Sequence, residues 1–214
     1  MNMRKILGAT FCAVLVALTL SVGPISVNAQ QSGTALDVEA NLDTQLYLIV
    51  ATNQDVDDAR LPQSLDAVIK QLRASLPFKN YRLAATLVNR VRNEGRLDLR
   101  WIGGPFAVPT GTAASSATPS FSEFKVQQVK LSRNADGQPV VHMLRFSFGA
   151  RIPIVTGTAL AQTGTGAPII NYETTGLNTD ISLREGEPVV VGTLNAGPSG
   201  DAIILVVSAK RTNR

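Results

Sequence analysis

Hydrophobic positions change period along this chain, and the changes mark its elements. Over residues 44–51 (TQLYLIVA) apolar, β-branched and aromatic side chains run together, which predicts a buried strand. After an acidic loop at 53–62 the period becomes helical. Leu65, Val68, Ile69, Leu72 and Leu76 fall on one stripe, predicting an amphipathic helix over 64–76. Ser64 stands as its N-cap and Asp66 in its positive first turn. Lys70 and Arg73 lie toward its negative end, and Pro77 stops it.

Everything beyond the helix reads as strand and turn. Residues 81–91 and 96–102 are predicted strands joined at Asn93-Glu94-Gly95, a hairpin signal. Phe124 and Val126 share one phase and Val129 and Leu131 the other, a conflict that a bulge near Gln127-Gln128 resolves. A turn at 134–137 leads into a strand on which His142, Leu144, Phe146 and Phe148 share one face, opposite Met143, Arg145 and Ser147. Residues 157–167 read as a loose loop, and 169–172, 178–183, 188–194 and 202–209 as further strands. Unbroken apolar runs at 189–191 and 203–207 predict a central hairpin over 188–209, turning at 196–200 and covered on both faces. The helix can cover only part of one face, so a second layer or a partner must cover the rest. The expected fold class is α+β, predominantly antiparallel β, a sheet or sandwich with one packed amphipathic helix.

The chain's start has a different pattern. Arg4 and Lys5 precede an apolar run from Ile6 to about Val22, followed by Gly23-Pro24 and then Val27-Asn28-Ala29. These are the three parts of a secretory signal peptide over residues 1–29, with cleavage expected before Gln30. The run is shorter than the roughly 20 apolar residues of a spanning helix. Residues 30–43 read as a flexible N-terminal segment and 44–214 as a β-rich globular domain. The Gly-, Pro-, Ala-, Ser- and Thr-rich stretch 103–120 reads as a loop or linker within it.

Export changes the reading of composition. Without Arg4 and Lys5 the formal net charge falls from +4 to about +2, too small for a nucleic-acid footprint. The single cysteine, Cys12, lies in the apolar run, so the exported chain is expected to hold together without disulfides.

Two segments resemble the core of bacterial secretins, the outer-membrane rings of secretion and pilus systems. Residues 172–177 (YETTGL) look like that family's Tyr-x-x-x-Gly strand entry. Residues 184–194 (REGEPVVVGTL) look like its Gly-Glu-x-Val-Val-Ile-Gly-Gly-Leu segment, and 203–210 stand where the family has a terminal apolar strand. Thr193 replaces the second glycine, and only residues 195–201 separate the last two strands, where secretins hold a long insertion. The chain also resembles small exported bacterial proteins. The resemblance implies a secretin-like architecture and a cell-envelope setting, and is not taken to imply a pore.

Candidate chemistry is sparse. With no cysteine expected after export, one histidine and no Gly-x-Ser-x-Gly elbow, nucleophilic catalysis has little to work with. His142, in phase with apolar neighbours, reads as a hydrogen-bonded core or rim residue. Asp55, Asp57 and Asp58 are the best calcium candidates, because hard cations want several oxygens from one loop. Their bland alternative is a solvated loop that favours the following helix N-terminus. Glu173, Asp180 and Glu185 have no spacing that pairs two carboxylates. Arg82, Arg90, Arg92, Arg96 and Arg100 read as the wet face of the 81–102 hairpin.

The resulting expectation is an exported, non-enzymatic envelope protein acting by binding or assembly. It is placed in the periplasm or outside the cell, peripheral to the outer membrane, with an envelope protein or itself as partner. No nucleic acid, cofactor or transmembrane segment of the exported chain is expected. The rivals are a periplasmic hydrolase built in three dimensions from residues such as His142, Asp180 and Glu185, and a secreted ligand- or ion-binding module using the acidic loop. Converging titratable groups in a pocket favour the hydrolase; a flat apolar patch beside a sheet edge favours the interaction protein.

Overall fold

A computed structural model describes residues 40–55, 61–103, 119–160, 166–195 and 200–212. The expected signal peptide, the segment 30–39, Asp57, Asp58 and the interior of the 103–120 stretch lie outside these residues. The described strands are β1 (Asn41–Thr52), β2 (Asn80–Arg92), β3 (Leu97–Ile102), β4 (Phe121–Val126), β5 (Gln128–Arg133), β6 (Pro139–Leu160), β7 (Gly166–Arg184), β8 (Val189–Asn195) and β9 (Ala202–Arg211). They form two antiparallel sheets, with one helix, α1 (Asp66–Ser75), packed on the first.

The first sheet has the order β2-β1-β9-β8. On β1 and β9, side chains alternate between two cores. Leu46, Leu48, Ile203, Leu205 and Val207 point to the second sheet, while Tyr47, Ile49, Ile204 and Val206 meet Leu65, Val68, Ile69 and Leu72 of the helical segment. Both faces of these strands are therefore dry, which explains the unbroken apolar runs in the sequence. β8 corrects the expectation of a two-sided central hairpin. It pairs with β9 but lies at the sheet edge with its valines only half-buried, because β1 occupies the other side of β9. β1 also begins three residues earlier than expected, taking in 41–43.

The helix occupies the predicted stretch with a different start. A 3₁₀ turn, Gln63–Leu65, precedes α1, and Leu65 is its N-cap, with no side-chain capping bond. Ser64 is therefore not the cap. Asp66 and Arg73 occupy the first and last turns as the macrodipole favours.

The turn at 93–95 is the largest departure. Among the described strands β2 pairs only with β1, and β3 pairs with β4 in the second sheet, so Asn93-Glu94-Gly95 is a corner between sheets and not a hairpin. Glu94 takes a left-handed conformation (φ 64°). The Glu94 N–H donates to the Val129 carbonyl and the Val129 N–H to the Gly95 carbonyl. These bonds satisfy the corner's backbone on β5 instead of on a hairpin partner.

In the second sheet β4 and β5 lie end to end along β6, broken at Gln127, whose N–H bonds the Leu144 carbonyl. That break brings Phe124, Val126, Val129 and Leu131 into one core, as the phase conflict predicted. A second irregularity overturns the face expected for β6. Between Met143 and Phe146 the pairing with β7 shifts, and Arg145 is left-handed (φ 49°). Val141 and Met143 are consequently buried before the bulge, and Phe146 and Phe148 after it. His142 and Leu144 face away from the core. The expected loop at 157–167 is also corrected: 157–160 and 166–167 continue β6 and β7, and 169–172 and 178–183 belong to one strand. β3 and β4 pair directly, and the Gly103 N–H bonds the Ser120 carbonyl at 2.8 Å, so the 103–120 connection closes a hairpin within one sheet.

Candidate functional site

The residues proposed for chemistry do not converge. His142 is held on the outer face of the second sheet between two hydroxyls, Nε2 at 2.8 Å from Ser132 Oγ and Nδ1 at 2.7 Å from Ser182 Oγ. Both ring nitrogens are thus occupied by serines, with no carboxylate in the role of orienter. Asp180 accepts the Arg145 N–H at the β6 bulge, and Glu185 binds Arg211 through its side chain and N–H. Glu173 and Asp180 are seven residues apart on β7, roughly 23 Å at about 3.3 Å per residue, too far to act as a pair. Asp55 is exposed in the loop after β1, and among the described residues no three acidic, His or Cys side chains cluster as a metal site.

The arginines separate as well. Arg90 belongs to the first sheet, where its Nε donates to Asp43 Oδ1 at 2.8 Å. That bond, above all, holds the Asp43 carboxyl below its ordinary value. Arg100 belongs to the second sheet, 3.7 Å from Glu123 and 3.9 Å from Asp98. No single hairpin face carries them, because the corner at 93–95 sends β2 and β3 to different sheets.

What does converge is apolar. β4 pairs with β6 only as far as Arg151, so, among the described residues, 152–160 of β6 pair with β7 alone. This two-stranded ribbon extends for nine residues on β6, about 30 Å at about 3.3 Å per residue. Among its described residues Glu173 is the only charged one, and Val155 and Ile169 are 60 % and 46 % exposed. At its root Phe121 meets Tyr172 at 5.8 Å between ring centroids, and Ile102, on the outermost strand β3, is 71 % exposed. The Tyr172 hydroxyl donates to the Pro119 carbonyl, fixing the ring at the junction.

The secretin-like motifs have physical roles here. A Cβ on Gly176 would lie 2.5 Å from the Phe148 carbonyl oxygen, so only glycine permits β7 to approach β6 at that point. On β8, the Leu177 side chain lies over Gly192, where a Cβ would come within 2.8 Å of it, and this contact joins the two sheets. Both glycines stand in the secretin-like motifs, whereas nothing in the sequence marks the ribbon, whose glycines and threonines look like loop.

No protein-family profile matches the chain, and no curated protein does. Solved structures of secretins are similar to it. The InvG secretin-domain β-barrel of the Salmonella SPI-1 injectisome has a TM-score of 0.36 and 14% identity, over 96% of this chain and 68% of that one. InvG in its open-gate state has a TM-score of 0.36 and 12% identity, over 98% of this chain and 66% of that one. The V. cholerae type IV competence pilus secretin PilQ has a TM-score of 0.28 and 12% identity, over 82% of this chain and 58% of that one. The likeness is weak and partial. Among the described residues no helix is long and apolar enough to cross a membrane.

Proposed function

We propose that this chain is an exported, non-enzymatic protein of the bacterial cell envelope that acts by assembly, through strand addition at the β6–β7 ribbon, within machinery of the secretin type. The ribbon is the observation that supports this reading. An isolated two-stranded hairpin is marginal in water, and this one has apolar side chains along it and, among the described residues, no strand paired to its edges beyond β4. Insertion of the lone ribbon into hydrocarbon would leave its edge N–H and C=O groups unsatisfied, at several kcal/mol each. A neighbouring protein strand supplies both hydrogen bonds and apolar cover. The partner is a further copy of the chain or another envelope protein.

The export step rests on the signal-like segment 1–29, and a mature mass beginning at Gln30 is expected. Crosslinking in the native cells, followed by identification of the captured protein, tests the assembly. Ribbon substitutions Val155→Lys and Ile169→Lys are expected to abolish the crosslink in a chain that still folds; persistence of the crosslink in both refutes ribbon-mediated assembly. His142→Gln is expected to leave assembly intact. A folded His142→Gln chain that loses a hydrolytic activity present in the parent would replace this reading with the hydrolase.

A further inference from the structure

We infer that the outer face of the second sheet carries a binding groove for a single-tailed amphipathic carboxylate of the fatty-acid class. The groove has a volume of about 690 Å³ and is lined by side chains of Arg100, Ile102, Phe121, Glu123, Arg151 and Thr174. That volume falls in the range of small-molecule sites, about 300–1,000 Å³. The lining runs across β3, β4, β6 and β7, about 14 Å at the usual strand spacing of about 4.8 Å, so the space is elongated. Gly149 adds no side chain of its own at its middle, where the Glu123 side chain passes with Cγ 3.4 Å from the place a Cβ would take.

The walls select the ligand. Ile102 and Phe121 offer apolar surface, and beside Phe121 toward the ribbon stands the exposed Arg151, whose guanidinium lies 5.6 Å from the centroid of the Tyr172 ring. Glu123 is the only acid among the described residues of the lining. It bonds Lys125 at 2.8 Å, the main cause of its lowered carboxyl pKa, and is also 3.7 Å from Arg100. Arg151 has no carboxylate partner among the described residues. A cation without its own anion, fixed beside an apolar trough, is complementary to an acyl chain ending in a carboxylate. Arginine binds that head through two parallel hydrogen bonds. A purely apolar ligand leaves Arg151 unused, and a multiply charged one meets Glu123.

The groove adjoins the root of the ribbon, and its test is separate from that of assembly. Dodecanoate is titrated calorimetrically into the exported chain below the micelle concentration, with dodecanol as the neutral probe. Saturable binding of one dodecanoate per chain is expected, with dodecanol at least tenfold weaker. Arg151→Gln is expected to lose at least tenfold in affinity with an unchanged melting temperature, and Gly149→Leu to fill the trough and lose binding of both probes. Lys130→Gln, at the far end of the same sheet, is expected to bind as the parent does. Non-saturable uptake, uptake only of micelles, equal affinity for dodecanol, or undiminished affinity in Arg151→Gln overturns the assignment. Because Val155→Lys and Ile169→Lys are not in the groove, loss of assembly with retained dodecanoate binding separates the two sites.

Discussion

Asn93 and Leu131 tie the two sheets together: Asn93 Oδ1 accepts the Leu131 N–H at 2.8 Å, and Asn93 itself is buried. Its own N–H donates to the Ala40 carbonyl at the start of the first sheet. One side chain at the corner therefore replaces a backbone partner that β5 lacks on that side. Asn93→Ala leaves a buried N–H unsatisfied and is expected to cost about 1–3 kcal/mol. Glu94→Gln, exposed in the same turn, is expected to change stability by less than about 0.5 kcal/mol. Urea denaturation of the two variants checks this; equal effects would mean the corner bond contributes nothing.

The helix carries its own contrast. Ile69 lies between α1 and the first sheet with Tyr47 and Ile204 in the same cluster, whereas Gln71 is exposed. Ile69→Ala is expected to cost about 2–5 kcal/mol, from lost transfer energy and the cavity left behind. Gln71→Ala is expected to be near neutral, since alanine is also a good helix former. Thermal or urea unfolding of both measures the difference.

Residue patterning disclosed more of the secondary structure than of its pairing. The helix stripe, the buried run on β1 and the two-sided run on β9 were legible because burial geometry writes period directly into sequence. The break at Gln127 was legible too, since Val126 and Val129 cannot share a face on a regular strand. The bulge at Leu144-Arg145 was hidden. His142, Leu144, Phe146 and Phe148 alternate without a conflict, and Arg145 enters the left-handed region with no glycine to announce it. Asn93-Glu94-Gly95 has the residues of a hairpin turn, and local chemistry does not specify which sheet the next strand joins. The apolar groove escaped for a related reason: Ile102, Phe121 and Arg151 come together only through the β3-β4-β6 pairing.

Glu185 makes acid stability testable. Burial pushes its carboxyl pKa up, but the Arg211 side-chain and backbone hydrogen bonds and the charges of Arg211 and Arg133 outweigh that, leaving it below the ordinary value. A carboxylate with a depressed folded pKa contributes stability above its unfolded value, about 4.3, and loses it as pH falls through the folded value. The parent's melting temperature is therefore expected to fall below about pH 4. Glu185→Gln is expected to be less stable than the parent at pH 7, and the gap to narrow in acid. A gap that stays constant from pH 7 to pH 3 would show that the pair is not linked to folding.

The central strand β9 gives the most severe test. Ile203, Ile204, Leu205, Val206 and Val207 are fully buried, odd positions toward the second sheet and even ones toward α1. A strand that lines a pore instead alternates lipid-facing and water-facing residues. Burying each of these side chains contributes about 1.5–3 kcal/mol. Leu205→Asp loses that contribution and adds an unpaired buried charge, together more than the margin left in a domain with about 5–15 kcal/mol of stability. The variant is expected to be unfolded by circular dichroism. Thr193→Asp, exposed on the edge strand β8, is expected to fold normally. Both faces of β9 being covered within one chain, the purified exported protein is also expected to remain in solution without detergent and to conduct no ions across a lipid bilayer. A folded Leu205→Asp chain, or stable channels from the exported chain alone, would mean that β9 is not a core strand and would restore a pore-forming role.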